Sequence, residues 1–244
     1  MIPQWLAAEL DAVSGSTGYE IGYQFSTGGA LSPVRRYHVK MPTFTVKAVC
    51  AGCNSGWMAS LEGNTRAVLT SVVRGEAVRL EPASLVQIAQ WAAKMVAMLD
   101  HYEKNVLDVT GHDLIVIWRD GRPPAHWLVR LGYRPTPDPV MEILWSDSAA
   151  WAAGGDPDER ARGFIATMAL GHLAVAVAGG PAWANPERWS TTTSRFALLA
   201  WPPVGAITWP PVGQRIDDRQ ALRDFHESFF VRIVNDGFPR PNPV

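Results

Sequence analysis

A chain of 244 residues, 47% hydrophobic and 18% charged, is long enough to bury one large or two small cores and too apolar to stay disordered. Its formal net charge of -1 excludes a strong overall field that would draw in nucleic acid or anionic lipid unaided. No charged stretch followed by an apolar run and a small-residue cleavage site opens the sequence, so the expectation is a cytoplasmic protein. Over Met1 to Arg79 the balance is locally basic, seven Lys and Arg against five acids, which permits a polyanionic partner without requiring one.

In chain order, Ile2 to Leu10 is predicted to form a short helix presenting Trp5, Leu6 and Leu10. Glycines at 15, 18, 28 and 29 punctuate two short strands, Tyr19 to Phe25 and Val34 to Lys40, and a third, Thr43 to Val49, leads into the cysteines. A helix is expected from Asn54, an acceptable N-cap, towards Val73, with Gly75 as its stop signal. Its apolar stripe is Trp57, Leu61, Val68, Leu69 and Val72.

A second helix is expected to begin at Ser84 to Gln87, spaced as a capping box, and to run to about Tyr102. Leu85, Ile88, Ala92, Met95, Val96, Leu99 and Tyr102 fall on one face, which demands a large packing partner. After Asn105 the texture turns to β. Strands are predicted at Leu114 to Trp118, Trp127 to Tyr133, Val140 to Trp145, Arg195 to Ala200 and Gly205 to Thr208, and a last helix at Asp217 to about Phe230 carries Leu222, Phe225 and Phe229.

The uncharged segment Gly163 to Trp183 approaches the ~20 residues of a membrane span. Its apolar content is mostly alanine, it is broken by Thr167, Gly171 and His172, and its second half alternates Ala with Val. It is therefore read as two buried strands joined near Gly171, with no membrane partner. The motif WPPV occurs at Trp201 to Val204 and again at Trp209 to Val212, and is expected to form a hairpin with matched ends. Eleven tryptophans allow base stacking but are better explained as rings filling a β core.

Cys50 and Cys53 are the only cysteines, spaced Cys-x-x-Cys between a strand and a helix. A helix N-terminus at that place lowers thiol pKa values and favours thiolates as ligands for zinc. A structural zinc takes four protein ligands, so the remaining two must be His, Asp or Glu, or come from a second chain, as in a homodimer sharing one ion. A redox dithiol has the same spacing but needs a βαβ frame that the short, glycine-punctuated strands do not supply.

The run Val-Cys-x-x-Cys-Asn-x-Gly-Trp-Met-x-x-Leu-Glu from Val49 to Glu62, preceded by Ile2-Pro3-x-Trp5-Leu6, resembles a group of bacterial and phage proteins with an HNH-endonuclease-like zinc domain. Trp91-Ala92-Ala93-Lys94, Gly171-His172-Leu173 and the tryptophan-proline doublets are similar to the same group, although only the cysteine segment is specific. The resemblance implies a treble-clef zinc unit in which an upstream Cys-x-x-Cys and a Glu-His pair precede the Ile-Pro segment. Both lie outside this sequence, so the natural protein is expected to extend upstream of Met1, with a GTG valine codon read as the initiator.

The resemblance further implies hydrolysis of a nucleic-acid phosphodiester. A histidine deprotonates water and a divalent metal such as magnesium stabilises the developing charge. Asn54 matches the last position of that motif, as a catalytic-metal ligand or organiser, while an N-cap role explains it equally well. His38, twelve residues before Cys50 in the basic stretch Arg35-Arg36-Tyr37-His38-Val39-Lys40, is a candidate replacement base, zinc ligand or phosphate contact, or a plain strand-surface histidine. Arg35, Arg36, Lys40 and Lys47 are the candidate nucleic-acid contacts. His101 suits a helix C-terminus, and His112, His126, His172 and His226 are assigned structural roles.

The expected fold is α+β: a degenerate treble-clef-like N-terminal unit over residues 1–80, a core helix over 81–105, and a mainly antiparallel β unit with a C-terminal helix over 106–244. The expected function is HNH-like, metal-dependent phosphodiester hydrolysis, impaired because the general-base histidine of the family is missing. The alternative is a non-catalytic zinc knuckle that binds nucleic acid or protein.

Overall fold

A computed structural model of the chain describes residues 3–14, 19–27, 30–31, 35–39, 49–102, 109–137, 141–151, 160–180, 198–213 and 215–227. It contains both helices and antiparallel sheet, so the class is α+β. Helix α1 (Gln4–Ser14) lies against α3 (Ala59–Val73), held by the Arg74–Glu9 ion pair at 2.6 Å and by the Arg66 guanidinium 5.6 Å from the Trp5 ring centre. Between them come β1 (Tyr19–Thr27), β2 (Ala30–Leu31), β3 (Arg35–Val39) and a short helix α2 (Ala51–Cys53). Of the expected strand Thr43 to Val49, residues 43–48 lie outside the described residues, and Val49 is a bend.

The large sheet runs β2, β1, β6 (Met141–Trp151), β7 (Arg160–Leu170), β8 (Leu173–Gly179), β5 (Leu128–Tyr133), β9 (Leu198–Trp201), with β3 also paired to β1. All its ladders are antiparallel except β1 with β6, which run parallel from Ile21 opposite Met141 to Ser26 opposite Ser146. A second sheet pairs β4 (Val78–Leu80) with β10 (Ile207–Trp209).

The Ala-Val alternation predicted two buried strands, and β7 and β8 are those strands, turning at Gly171 with φ +58. Strand side chains alternate faces, so Leu173, Val175 and Val177 enter one core while Ala174, Ala176 and Ala178 enter another. The valine face meets α4 (Pro82–Tyr102), and the alanine face, with its small side chains, admits Leu222 and Phe225 of α6 (Arg219–Glu227). Among the described residues no helix is long and apolar enough to cross a membrane.

Four local expectations are corrected. Leu114 to Trp118 lies in a helix, α5 (Gly111–Arg119), because Thr110 and Asp113 form a reciprocal capping box that outweighs the β-branched run Ile-Val-Ile. Helix α4 starts at Pro82, a residue suited to the first helical position, which puts Ser84 inside the first turn instead of capping it. The cysteine helix starts at Ala51 with Cys50 as its N-cap, so Asn54 is an interior residue.

The two WPPV copies do not form a hairpin: β9 pairs with β5 and β10 with β4. Each tryptophan is anchored separately, Trp201 by donating its indole N–H to the Pro124 carbonyl at 3.1 Å and Trp209 by packing edge-on to Tyr133 with ring centres 5.6 Å apart.

Candidate functional site

Cys50 ends an extended segment at φ -66, ψ 156, and its sulfur accepts the Cys53 backbone N–H at 3.2 Å. It thus does for the helix what a Ser or Asp N-cap does, satisfying one of the donors that a helix start leaves without a partner. Both cysteines are free thiols, Cys50 exposed and Cys53 half-buried. The Cys53 thiol and then its backbone N–H stabilise a Cys50 thiolate and hold that pKa below the ordinary thiol value. Cys53 is pushed the other way, first by donating to Cys50, then by burial and by the Cys50 charge. Acidification of both thiols, expected from the helix N-terminus, is therefore corrected to acidification of Cys50 alone.

After Cys53 the helix widens through Asn54–Met58, with Gly56 off the helical backbone at φ -92, ψ -110, and tightens again as α3. Such wide turns occur often at functional sites. This one carries Trp57 and Met58 towards α4 and α5, where they line a cavity of about 230 Å³. Cys50, Cys53, His101 of α4 and Trp118 of α5 line it too, over a floor that includes Met98 and Ile117.

Lys94 also reaches this cavity, although its side chain is only 3% exposed. Its ammonium donates to Glu62 of α3 at 2.6 Å. Burial lowers the Lys94 pKa and the Glu62 carboxylate offsets part of that. The Trp-Ala-Ala-Lys and Leu-Glu segments, far apart in the chain, thus meet as the two ends of one partly buried ion pair beside the cysteines.

β3 carries Arg35, Arg36 and His38 opposite Tyr23, Gly22 and Glu20 of β1 in register. Lys40 and Lys47 lie outside the described residues. Asn54 is exposed and no longer needed as a cap, which leaves its amide available for other work. Among the described residues no three His, Cys, Asp or Glu gather into a group that would hold a metal. A structural zinc takes four protein ligands, and here the described residues offer the two thiols without a third donor gathered beside them.

Three of the remaining histidines sit in structural contacts, whereas His112 is exposed on the first turn of α5. His126 pairs with Asp113 at 3.3 Å, His172 donates to the Arg134 carbonyl at 2.6 Å, and buried His226 lies 2.8 Å from the Thr167 hydroxyl. His101 is the residue whose setting the sequence did not reveal, since its place in the cavity depends on α5, where the local pattern reads as a strand.

Comparison with protein-family models, with curated proteins and with solved structures found no match. Fold and site together define an α+β protein that presents a free dithiol at a helix N-terminus, beside an apolar cavity lined in part by a buried lysine paired with a partly exposed carboxylate.

Proposed function

We propose that the chain is an HNH-endonuclease-like protein that acts on nucleic-acid phosphodiesters, with Cys50 and Cys53 supplying half the ligand shell of a structural zinc. The observation that carries this reading is the order of elements: an antiparallel β1/β3 pair, then two free thiols on the exposed first turn of a helix, with Asn54 next to them. That succession supports a treble-clef-like reading of this segment. When bound, zinc would cross-link the segment ahead of α2 to its other donors. His38 is the candidate general base and Asn54 the candidate organiser of a catalytic divalent ion such as magnesium. Arg35, Arg36, Lys40 and Lys47 are the candidate backbone contacts.

The second reading is binding without hydrolysis, the same knuckle holding a surface for nucleic acid or protein. Incubating the protein with labelled single- and double-stranded DNA and RNA, with magnesium or manganese, separates the two. Hydrolysis that vanishes in Asn54→Ala and His38→Ala supports the enzyme, and binding without cleavage supports the module. In either case, four phosphate contacts give a log-log slope of affinity on salt of about -3.6 for duplex DNA. Affinity that ignores salt would remove nucleic acid as the partner.

A further inference from the structure

Resting on the half-site reading above, we infer that two copies of this chain share one zinc ion through Cys50 and Cys53 of each, and that the rim of the adjoining cavity is the contact between them. Two observations converge on the same place. The described donors amount to two thiols, half of a tetrahedral shell, and an identical half from a second copy completes it with four sulfurs. Among the described residues four large apolar side chains are exposed, and two of them, Ile115 at 46% and Trp118 at 57%, line the cavity that also contains Cys50 and Cys53.

A two-fold axis through the metal sets each copy's α5 rim beside its twin's, since in such a pair the same patch is used on both sides. The ring of Trp118, with Ile115 on the preceding turn, would then leave water on assembly. A contact of a few side chains is far smaller than a stable dimer needs. The thiolate-metal bonds must therefore provide the association, and the apolar rim sets its geometry. This makes the dimer conditional on the ion. The two sulfurs and the α5 rim line the same cavity, beside which the Lys94–Glu62 pair ties α3 to α4.

The test uses the whole chain purified without chelator, with zinc measured by elemental analysis and mass by light scattering. The expected result is half an equivalent of zinc per chain in a particle of twice the chain mass, reverting to monomer when EDTA removes the ion. Trp118→Arg, an exposed position where folding should survive, is expected to weaken dimerisation at least tenfold, and Cys50→Ser to abolish both metal and dimer. One equivalent of zinc in a monomer would overturn the shared site while leaving the half-site reading intact. A dimer that persists in EDTA would also overturn it. No bound zinc in any preparation would remove both.

Discussion

At the scale of the residue, Lys94 and Glu62 show how unequal the partners of one ion pair are. Lys94 is 3% exposed and Glu62 26%, so removing the carboxylate strands an ammonium in apolar surroundings, while removing the amine leaves an acid that can turn to water. Glu62→Ala should cost about 2 kcal/mol, and Lys94→Met, of similar length and apolar, within about 1 kcal/mol of neutral. Chemical denaturation of both variants tests the order, and equal losses would contradict it.

His226 makes a second residue-level prediction. Burial lowers its pKa to about 3, against about 6.5 for an exposed histidine. The neutral ring is the folded form, so its contribution is complete above pH 6.5. Below that the unfolded chain takes up the proton first, and stability falls by up to about 1.4 kcal/mol per pH unit until pH reaches about 3. Denaturation from pH 7 to 4 should show that slope in the wild type, and His226→Gln should lose it. These two residues were only half legible: the motif segments holding Lys94 and Glu62 stood out, but their pairing is a contact across α3 and α4 that leaves no local pattern.

At the scale of the element, local chemistry was readable wherever one strong signal acted alone. The turn between β7 and β8 is of that kind, with an Ala-Val alternation on one side and Gly171 at its tip. Gly171 adopts φ +58, and a Cβ there would sit 2.7 Å from the Val73 carbonyl oxygen. The carbonyl is itself fixed by the His172 N–H at 2.9 Å, so it has little freedom to retreat. Gly171→Ala should therefore destabilise by about 2 to 3 kcal/mol, more than the ~1 kcal/mol of a left-handed backbone alone, as thermal unfolding would show. Helix α5 is the opposite case. Its Leu-Ile-Val-Ile run favours a strand, and the deciding signal was Thr110 with Asp113 three residues on, a shorter pattern than the run it overrides. The cysteine segment misled for a different reason: a thiol took the capping place that Asn54 would ordinarily hold.

At the scale of the whole molecule, one apolar cluster draws Leu6 and Leu10 from α1, Leu69 and Val73 from α3, Trp91 and Leu99 from α4, and Phe164, Val175 and Trp201 from the sheet. The parallel pairing of β1 with β6 joins residues more than a hundred positions apart. Neither is visible in a sequence read locally, because alternation reports which face of a strand is buried and says nothing about its neighbour. The consequence concerns cooperativity. Among the described residues, a shared core and a sheet continuous from β2 to β9 leave no plane along which the N-terminal third could unfold while the rest keeps its surfaces covered. Guanidinium unfolding followed by tryptophan fluorescence and by far-ultraviolet circular dichroism should then give coincident single transitions. The tryptophans report from both ends, Trp5 on α1 and Trp127, Trp201 and Trp209 around the sheet, so the fluorescence would register an early loss at either end. Two separated midpoints would show instead that α1, β1 and the cysteine helix form a unit of their own, docked on the sheet and not built into it.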